Sequence, residues 1–348
     1  METLWFCLVA STLAAYVALD GFDLGAGIVH FAVARDERER RTVLRSIGPV
    51  WDGNEVWLLA AGGVLYVAFP QVYASSFSGF YLPLMIVLWL LMLRGLGIEF
   101  RHRLQSPMWR VFWDVVFSVG SVLLAIFFGA ALGNVVRGVP LKADGYFFEP
   151  LWTTFTVVPE AGVLDWFTVI MGLVAFCTLT VHGANFVAMK TEGEIQGRAR
   201  SIAGRMWWGV VLTSVAALIA TSSIHPELWA NYGRYPLGYV LPLLGLAAVA
   251  GMHYYNRAKR DGWAFASSAV FIGGMLAATA FGLFPNLLAA STDPAYNLTV
   301  HNAIAHEYGL GVGIVWWIIG ITLALGYFGF VFFVHKGKVK VPVEGEGY

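Results

Sequence analysis

Apolar residues along this chain gather into long unbroken runs; they neither alternate nor recur on a single helical face. Nine such runs lie near 4–34, 48–69, 77–97, 113–134, 164–189, 206–224, 236–256, 263–284 and 308–334. About 20 mostly apolar residues carry a helix across the ~30 Å hydrocarbon core of a bilayer, so each run predicts a membrane-spanning helix. Barrel strands would give short alternating segments instead. The first run lacks a basic leader region and continues through Asp20 and Asp23, unlike a cleaved signal peptide.

The polar positions between the runs then orient them. Of the 22 Lys and Arg, all but Arg137, Lys142 and Arg234 fall in 35–46, 94–112, 190–205, 257–262 and 335–348. Cytoplasmic loops attract Lys and Arg, which predicts an outer N-terminus and an inner C-terminus, as an odd number of spans requires. Composition agrees: 58% of residues are hydrophobic and only 13% charged, against about 25% charged in a soluble domain. The 22 acidic residues balance the basic ones, which leaves no electrostatic case for nucleic acid. Cys7 and Cys177 both sit in apolar runs and supply neither a disulfide framework nor a metal motif.

The chain also matches itself. An offset of 155 places Arg45-Ser46-Ile47 on Arg200-Ser201-Ile202, Phe31 on Phe186 and Glu37 on Glu192. The expected architecture is therefore all-α and integral to the membrane, with nine transmembrane helices in two tandem four-helix units plus one peripheral helix. The units would span 1–155 and 156–300, with the ninth helix and an inner tail in 301–348. Under the offset, Asp20, Asp23, Asp52 and Glu55 fall on Ala175, Thr178, Trp207 and Val210. The second unit would fold without acids at those places, so folding alone does not demand them in the first.

Those four acids are the candidate chemistry. Asp20 and Asp23 lie midway along the first run, three residues apart and so on one helical face. A carboxylate at the bilayer centre costs about 2.5–3.5 kcal/mol on insertion scales, so both should face the bundle interior. Desolvation and mutual repulsion favour a proton on at least one of them, which suits a group that takes up and releases protons. Asp52 and Glu55 open the second run at its inner end, within Trp51-Asp52-Gly53-Asn54-Glu55-Val56-Trp57. A favourable helix-dipole contact would also explain acids there. The flanking tryptophans and the apolar run that follows favour a relay, with Asp52 as its cytoplasmic mouth and Asp23 as an inner station. Arg94 and Glu99 are expected to pair with each other. His30, His182 and His253 are nominal haem ligands, but a hydrogen bond to a neighbouring helix accounts for each more simply. His301, His306 and Glu307 are expected to be solvated at the outer side, and Trp316 and Trp317 to face lipid or pack.

Asp20-Gly21-Phe22-Asp23-Leu24-Gly25 followed by Trp51-Asp52-Gly53-Asn54-Glu55-Val56-Trp57 resembles subunit 2 of the cytochrome bd quinol oxidases. Further matches are Phe77-Ser78-Gly79-Phe80-Tyr81, Arg94-Gly95 with Glu99-Phe100-Arg101, and Gly133-Asn134 with Gly138-Val139-Pro140. His182-Gly183-Ala184 with Lys190-Thr191-Glu192-Gly193 extends the series, so the resemblance covers roughly residues 15–285. It implies a complex of the bacterial cytoplasmic membrane that oxidises quinol and reduces dioxygen to water. A haem-bearing subunit 1 would carry the quinol site and three haems, two b-type and one d-type. This chain would bind no haem and would guide cytoplasmic protons through Asp52 and Asp23, with Asp20 and Glu55 in the same cluster and Trp51 and Asn54 as supports. The resemblance also leaves room for small single-span subunits, bound membrane lipid and a lipid quinone on this chain. The segment His301-Asn302-Ala303-Ile304-Ala305-His306-Glu307 and a last helix without proline depart from the family pattern. A proton-coupled secondary transporter is the rival reading. It would call for Gly- or Pro-broken helices at corresponding places in both halves, and here the Gly-rich acidic features occur only in the first.

Overall fold

A computed structural model of the chain describes residues 1–339. Its helices are α1 (Glu2–Val33), α2 (Glu37–Ile47), α3 (Trp51–Ala68), α4 (Pro70–Gly79), α5 (Tyr81–Phe100) and α6 (Pro107–Arg137). There follow α7 (Trp166–Lys190), α8 (Gly193–Ile224), the short α9 (Trp229–Arg234), α10 (Val240–Arg257), α11 (Asp261–Leu283) and α12 (Glu307–Val334). Among the described residues, eight helices are long and apolar enough to cross a membrane: α1, α5, α6, α7, α8, α10 with its leading turn, α11 and α12. The second expected span coincides with helix α3, whose 18 residues include Asp52, Asn54 and Glu55. Those polar groups lower its hydropathy, so it is not among the eight. The fold is also not purely helical: β1 (Asn286–Leu288) and β2 (Leu298–Thr299) pair antiparallel, and Val139 bridges to Ala290 beside them. The tail expected to follow the ninth helix lies outside the described residues from 340 onward.

Two stretches read as basic loops are helical. In α2, Val43, Leu44 and Ile47 are buried on one face while Arg38 is exposed and Arg40, Arg41 and Arg45 are partly exposed, so the segment lies as an amphipathic helix at the basic end. Asp36 caps it by accepting from the Glu39 N–H at 2.8 Å. Likewise α8 begins well before the apolar run, because Ile195, Ala199, Ile202 and Ala203 give its charged first turns a buried face. Gly48, Pro49 and Val50 separate α2 from α3, and Phe69, non-helical before Pro70, separates α3 from α4.

The centre of the bundle is the α1–α7 pair, around which α3, α6, α8 and α11 pack. The two helices touch backbone to backbone. A Cβ on Gly25 would stand 2.1 Å from the Leu179 carbonyl oxygen, and one on Gly183 would stand 2.1 Å from the Gly25 carbonyl carbon. In lipid, where apolar burial gives helices little reason to associate, such close contact supplies the van der Waals attraction that holds them. Phe22 and Phe186 stack at 4.0 Å just below this crossing. Helix α12 stands apart, resting on α3 through Gly313 against Val67 and Phe328 against Gly53, with Gly313 also against Trp5 of α1. Trp316 faces outward, and Trp317 packs on the core near Trp5 and Phe69.

Candidate functional site

Three helices bring the acids together with a cation. Helix α1 carries Tyr16, Asp20 and Asp23 along one stripe, all buried. Helix α3 contributes Asn54 and Glu55, and α5 contributes Arg94. Asn54 Nδ2 donates to Asp23 Oδ2 at 2.7 Å. Arg94 Nη1 donates to Asp20 Oδ1 at 2.7 Å, and its Nη2 donates to Glu55 Oε2 at 2.9 Å. Asp20, Asp23, Asn54 and Arg94 are fully enclosed, whereas the Glu55 side chain keeps 26% of its surface. Two carboxyl groups thus share one guanidinium, and the third is held by an amide.

The site also holds unspent hydrogen-bonding capacity. Asp20 Oδ2, Asp23 Oδ1, Asn54 Oδ1 and Arg94 Nε are buried without a protein partner, and the Tyr16 hydroxyl lies next to Asp20 outside hydrogen-bonding geometry. Buried polar atoms are nearly always satisfied by protein or by water, so this much unpaired polarity in one place marks a spot suited to ordered water.

The structure unites Asp20, Asp23, Glu55 and Asn54, and leaves Asp52 at the edge. Asp52 is exposed on the first turn of α3 and neighbours Glu55 rather than Asp23. Trp51 packs beside Gly95, where an added Cβ would stand 3.4 Å from its ring. The expected Arg94–Glu99 pair is not what forms. Arg94 points into the bundle and takes Asp20 and Glu55, because a buried guanidinium needs carboxylate partners at its own depth. The one sequence cue for this was a lone arginine inside an apolar run facing acids in other runs.

Two further charged clusters went unread in the sequence. At the basic end, His30 Nε2 meets Asp114 Oδ1 at 3.0 Å, and Arg101 grips Asp114 (2.5 and 3.1 Å) and Glu37 (2.7 and 3.2 Å). At the opposite end, Arg137 donates to Asn134, Glu149 and Asp165 and to the Gly138 and Gly162 carbonyls, clamping the 138–165 segment onto α6 and α7. Burial pushes the Glu149 carboxyl up to about 8, against the opposing pull of Arg137.

The histidines have partners within the bundle. His182 sits between Ser268 Oγ (Nδ1, 2.7 Å) and the Ala18 carbonyl (Nε2, 2.9 Å), His30 is on Asp114, and the His253 ring lies against Trp207. A haem ligand must point a free nitrogen at iron. Both His182 nitrogens are engaged, which does not suit that residue to a haem, while His30 uses Nε2 on Asp114 and keeps a buried Nδ1 without a protein partner. His301 is mostly exposed, with Nδ1 2.5 Å from Glu2 Oε2.

Comparison with known proteins gives one answer. A family model described as cytochrome bd terminal oxidase subunit II matches residues 1–335. A probable cytochrome oxidase subunit 2 of Haemophilus influenzae is 32% identical over 94% of this chain and 92% of its own length. The cytochrome bd ubiquinol oxidase subunit 2 of Bacillus subtilis is 34% identical over 90% and 89%. The solved bd oxidase of Geobacillus thermodenitrificans contains a chain of the same fold, with a TM-score of 0.75, 17% identity and coverage of 95% and 97%.

Proposed function

The chain belongs to the cytochrome bd terminal oxidase subunit II family, and from that premise we propose that its buried acid cluster conducts protons toward the oxygen-reducing site of the complex. As subunit 2 of a respiratory quinol oxidase it is a multi-pass protein of the bacterial cytoplasmic membrane. The quinol site, two b-type haems and one d-type haem belong in the partner, subunit 1. Those haems supply the electron transfer and dioxygen reduction, and this chain supplies protons and support.

In this reading α3 is the ninth crossing. At 18 residues it reaches about 27 Å, and α4 continues it. The basic end faces the cytoplasm, with the N-terminus outside. Two tandem units, 1–155 and 156–300, are supported by the matching order of α1, α2–α3, α5, α6 and α7, α8, α10, α11. A proton arrives at exposed Asp52, passes to half-exposed Glu55, and reaches the Asp20–Asp23 pair through the groups that Arg94 and Asn54 hold in place. Arg94 keeps the cluster from accumulating uncompensated negative charge, and Asn54 orients the Asp23 carboxyl so that Oδ1 is left to exchange protons. The observation that carries the reading is Asp23 itself: fully enclosed, held by one hydrogen bond, with Oδ1 unpartnered. Because quinol oxidation releases protons outside, drawing the protons for water formation from inside charges the membrane without a pump.

The experiment is oxygen consumption by the complex carrying Asp23→Asn or Asp52→Asn, normalised to haem content. Loss of a positioned proton-transfer group should slow turnover by about a hundredfold. Unchanged turnover in both variants would reduce this chain to a scaffold. The transporter reading finds no support in the second half, where Ala175, Thr178, Trp207 and Val210 stand at the corresponding places.

A further inference from the structure

At the basic end, guanidinium groups outnumber the carboxylates that face them. Arg101 is shared by Asp114 and Glu37, Arg41 Nε sits 3.1 Å from Glu37, Arg110 Nη1 3.4 Å from Glu37 and Arg40 Nη1 3.6 Å from Asp114. Four guanidiniums therefore share two carboxylates. His102 beside them adds no charge at neutral pH, since burial and then Arg101 and Arg41 push its pKa down to about 4.

Two of the four are under-used. Arg40 stands beyond hydrogen-bond length from Asp114, lays its guanidinium 5.0 Å over the Phe31 ring, and leaves Nε buried without a protein partner. Arg110 makes a single long ion pair. Both keep 21% of their side-chain surface. Next to them the surface turns apolar and open: Phe31 on α1, and Met108, Val111, Val115, Val119 and Leu123 as an exposed stripe down α6. Part-exposed arginines with spare donors at the head of an apolar, lipid-depth stripe match a ligand with an anionic head and hydrocarbon tails.

We propose that Arg40 and Arg110 bind the phosphodiester headgroup of an anionic phospholipid whose acyl chains lie along Phe31 and the α6 stripe. Arginine's planar fork matches phosphate oxygens in pairs, and basic pockets at the cytoplasmic side of helix bundles suit such headgroups. Water alone would leave the local excess of two positive charges uncompensated, and free phosphate would make no use of the stripe. This site is separate from the acid cluster and stands whether or not that cluster carries protons.

Native mass spectrometry of the intact oxidase complex, titrated with phosphatidylglycerol or with phosphatidylcholine, tests it. At about 1 kcal/mol per arginine, the Arg40→Gln/Arg110→Gln double variant should hold phosphatidylglycerol roughly 30-fold more weakly, with phosphatidylcholine unaffected. Arg205→Gln, at an exposed position of α8, should match the wild type. Should the double variant fail to assemble with its haems, Arg110→Gln alone leaves the Asp114 contacts intact and should weaken retention roughly fivefold. Unchanged phosphatidylglycerol retention in whichever variant assembles overturns the proposal. Displacement of the lipid by millimolar inorganic phosphate would overturn it too, in favour of a free-anion site.

Discussion

Replacing Arg94 by Gln should cripple the assembled complex, and removing Asp20 as well should repair part of the damage. Arg94 is fully buried and bonded to Asp20 at 2.7 Å and Glu55 at 2.9 Å. At an effective dielectric of about 20, each contact is an attraction on the order of 6 kcal/mol, most of it offset by the cost of desolvating the charges. What matters is the asymmetry. Losing one partner strands a buried charge and costs about 3–5 kcal/mol, whereas losing both together is often close to neutral. Arg94→Gln strands Asp20, which has no solvent contact, while Glu55 can still turn toward solvent. Asp20→Asn alone is milder, because Arg94 keeps Glu55. The Arg94→Gln/Asp20→Asn pair should therefore recover at least about 2 kcal/mol relative to Arg94→Gln. The assay is the thermal inactivation midpoint of the solubilised, haem-containing complex, where the single variant should fall by roughly 5–10 °C and the double variant by clearly less. A double variant as unstable as Arg94→Gln would refute the idea that this guanidinium is there to balance the buried acid.

Gly25→Ala should abolish assembly of the complex, measured as haem-loaded protein in membranes, since the new methyl collides with backbone of α7 that has nowhere to move; normal yield would mean that the crossing is looser than described. The Glu149 carboxyl ionises near 8 in the folded chain against an ordinary 4.5. Between those values the native state binds more protons, so stability should decline as pH rises through that window and Glu149→Gln should flatten the decline; equal slopes would contradict this. Arg101→Lys should be nearly as damaging to heat stability as Arg101→Gln, because an ammonium cannot hold Asp114 and Glu37 through paired hydrogen bonds.

The membrane class, the places of eight spans and the inward-facing Asp20 and Asp23 are legible because burial in lipid leaves a direct mark on composition. Partners are not. Hydropathy does not say which helices are neighbours, so the sequence offers Arg94 only Glu99, nearby along the chain, whereas its partners come from α1 and α3. The amphipathic starts of α2 and α8 were hidden for a related reason: charge density marks a membrane boundary but not whether the chain there is helical. Arg137, Glu149 and Asp165 are far apart in sequence and meet only through the course of the 138–165 segment. The sole hint was Arg137, one of three basic residues on the sparsely charged side. Asp52 shows the converse. Its motif drew it toward Asp23, but the pitch of α3 turns it outward while Asn54 turns in.

The most direct measurement is of proton uptake itself. The complex would be reconstituted in vesicles with a pH indicator on the side of the basic end, and uptake followed during a single turnover with dioxygen, in wild type and in Asp23→Asn of equal haem content. The account predicts rapid uptake from that side in the wild type and uptake slowed by about a hundredfold in the variant. Uptake at the wild-type rate in Asp23→Asn would contradict it.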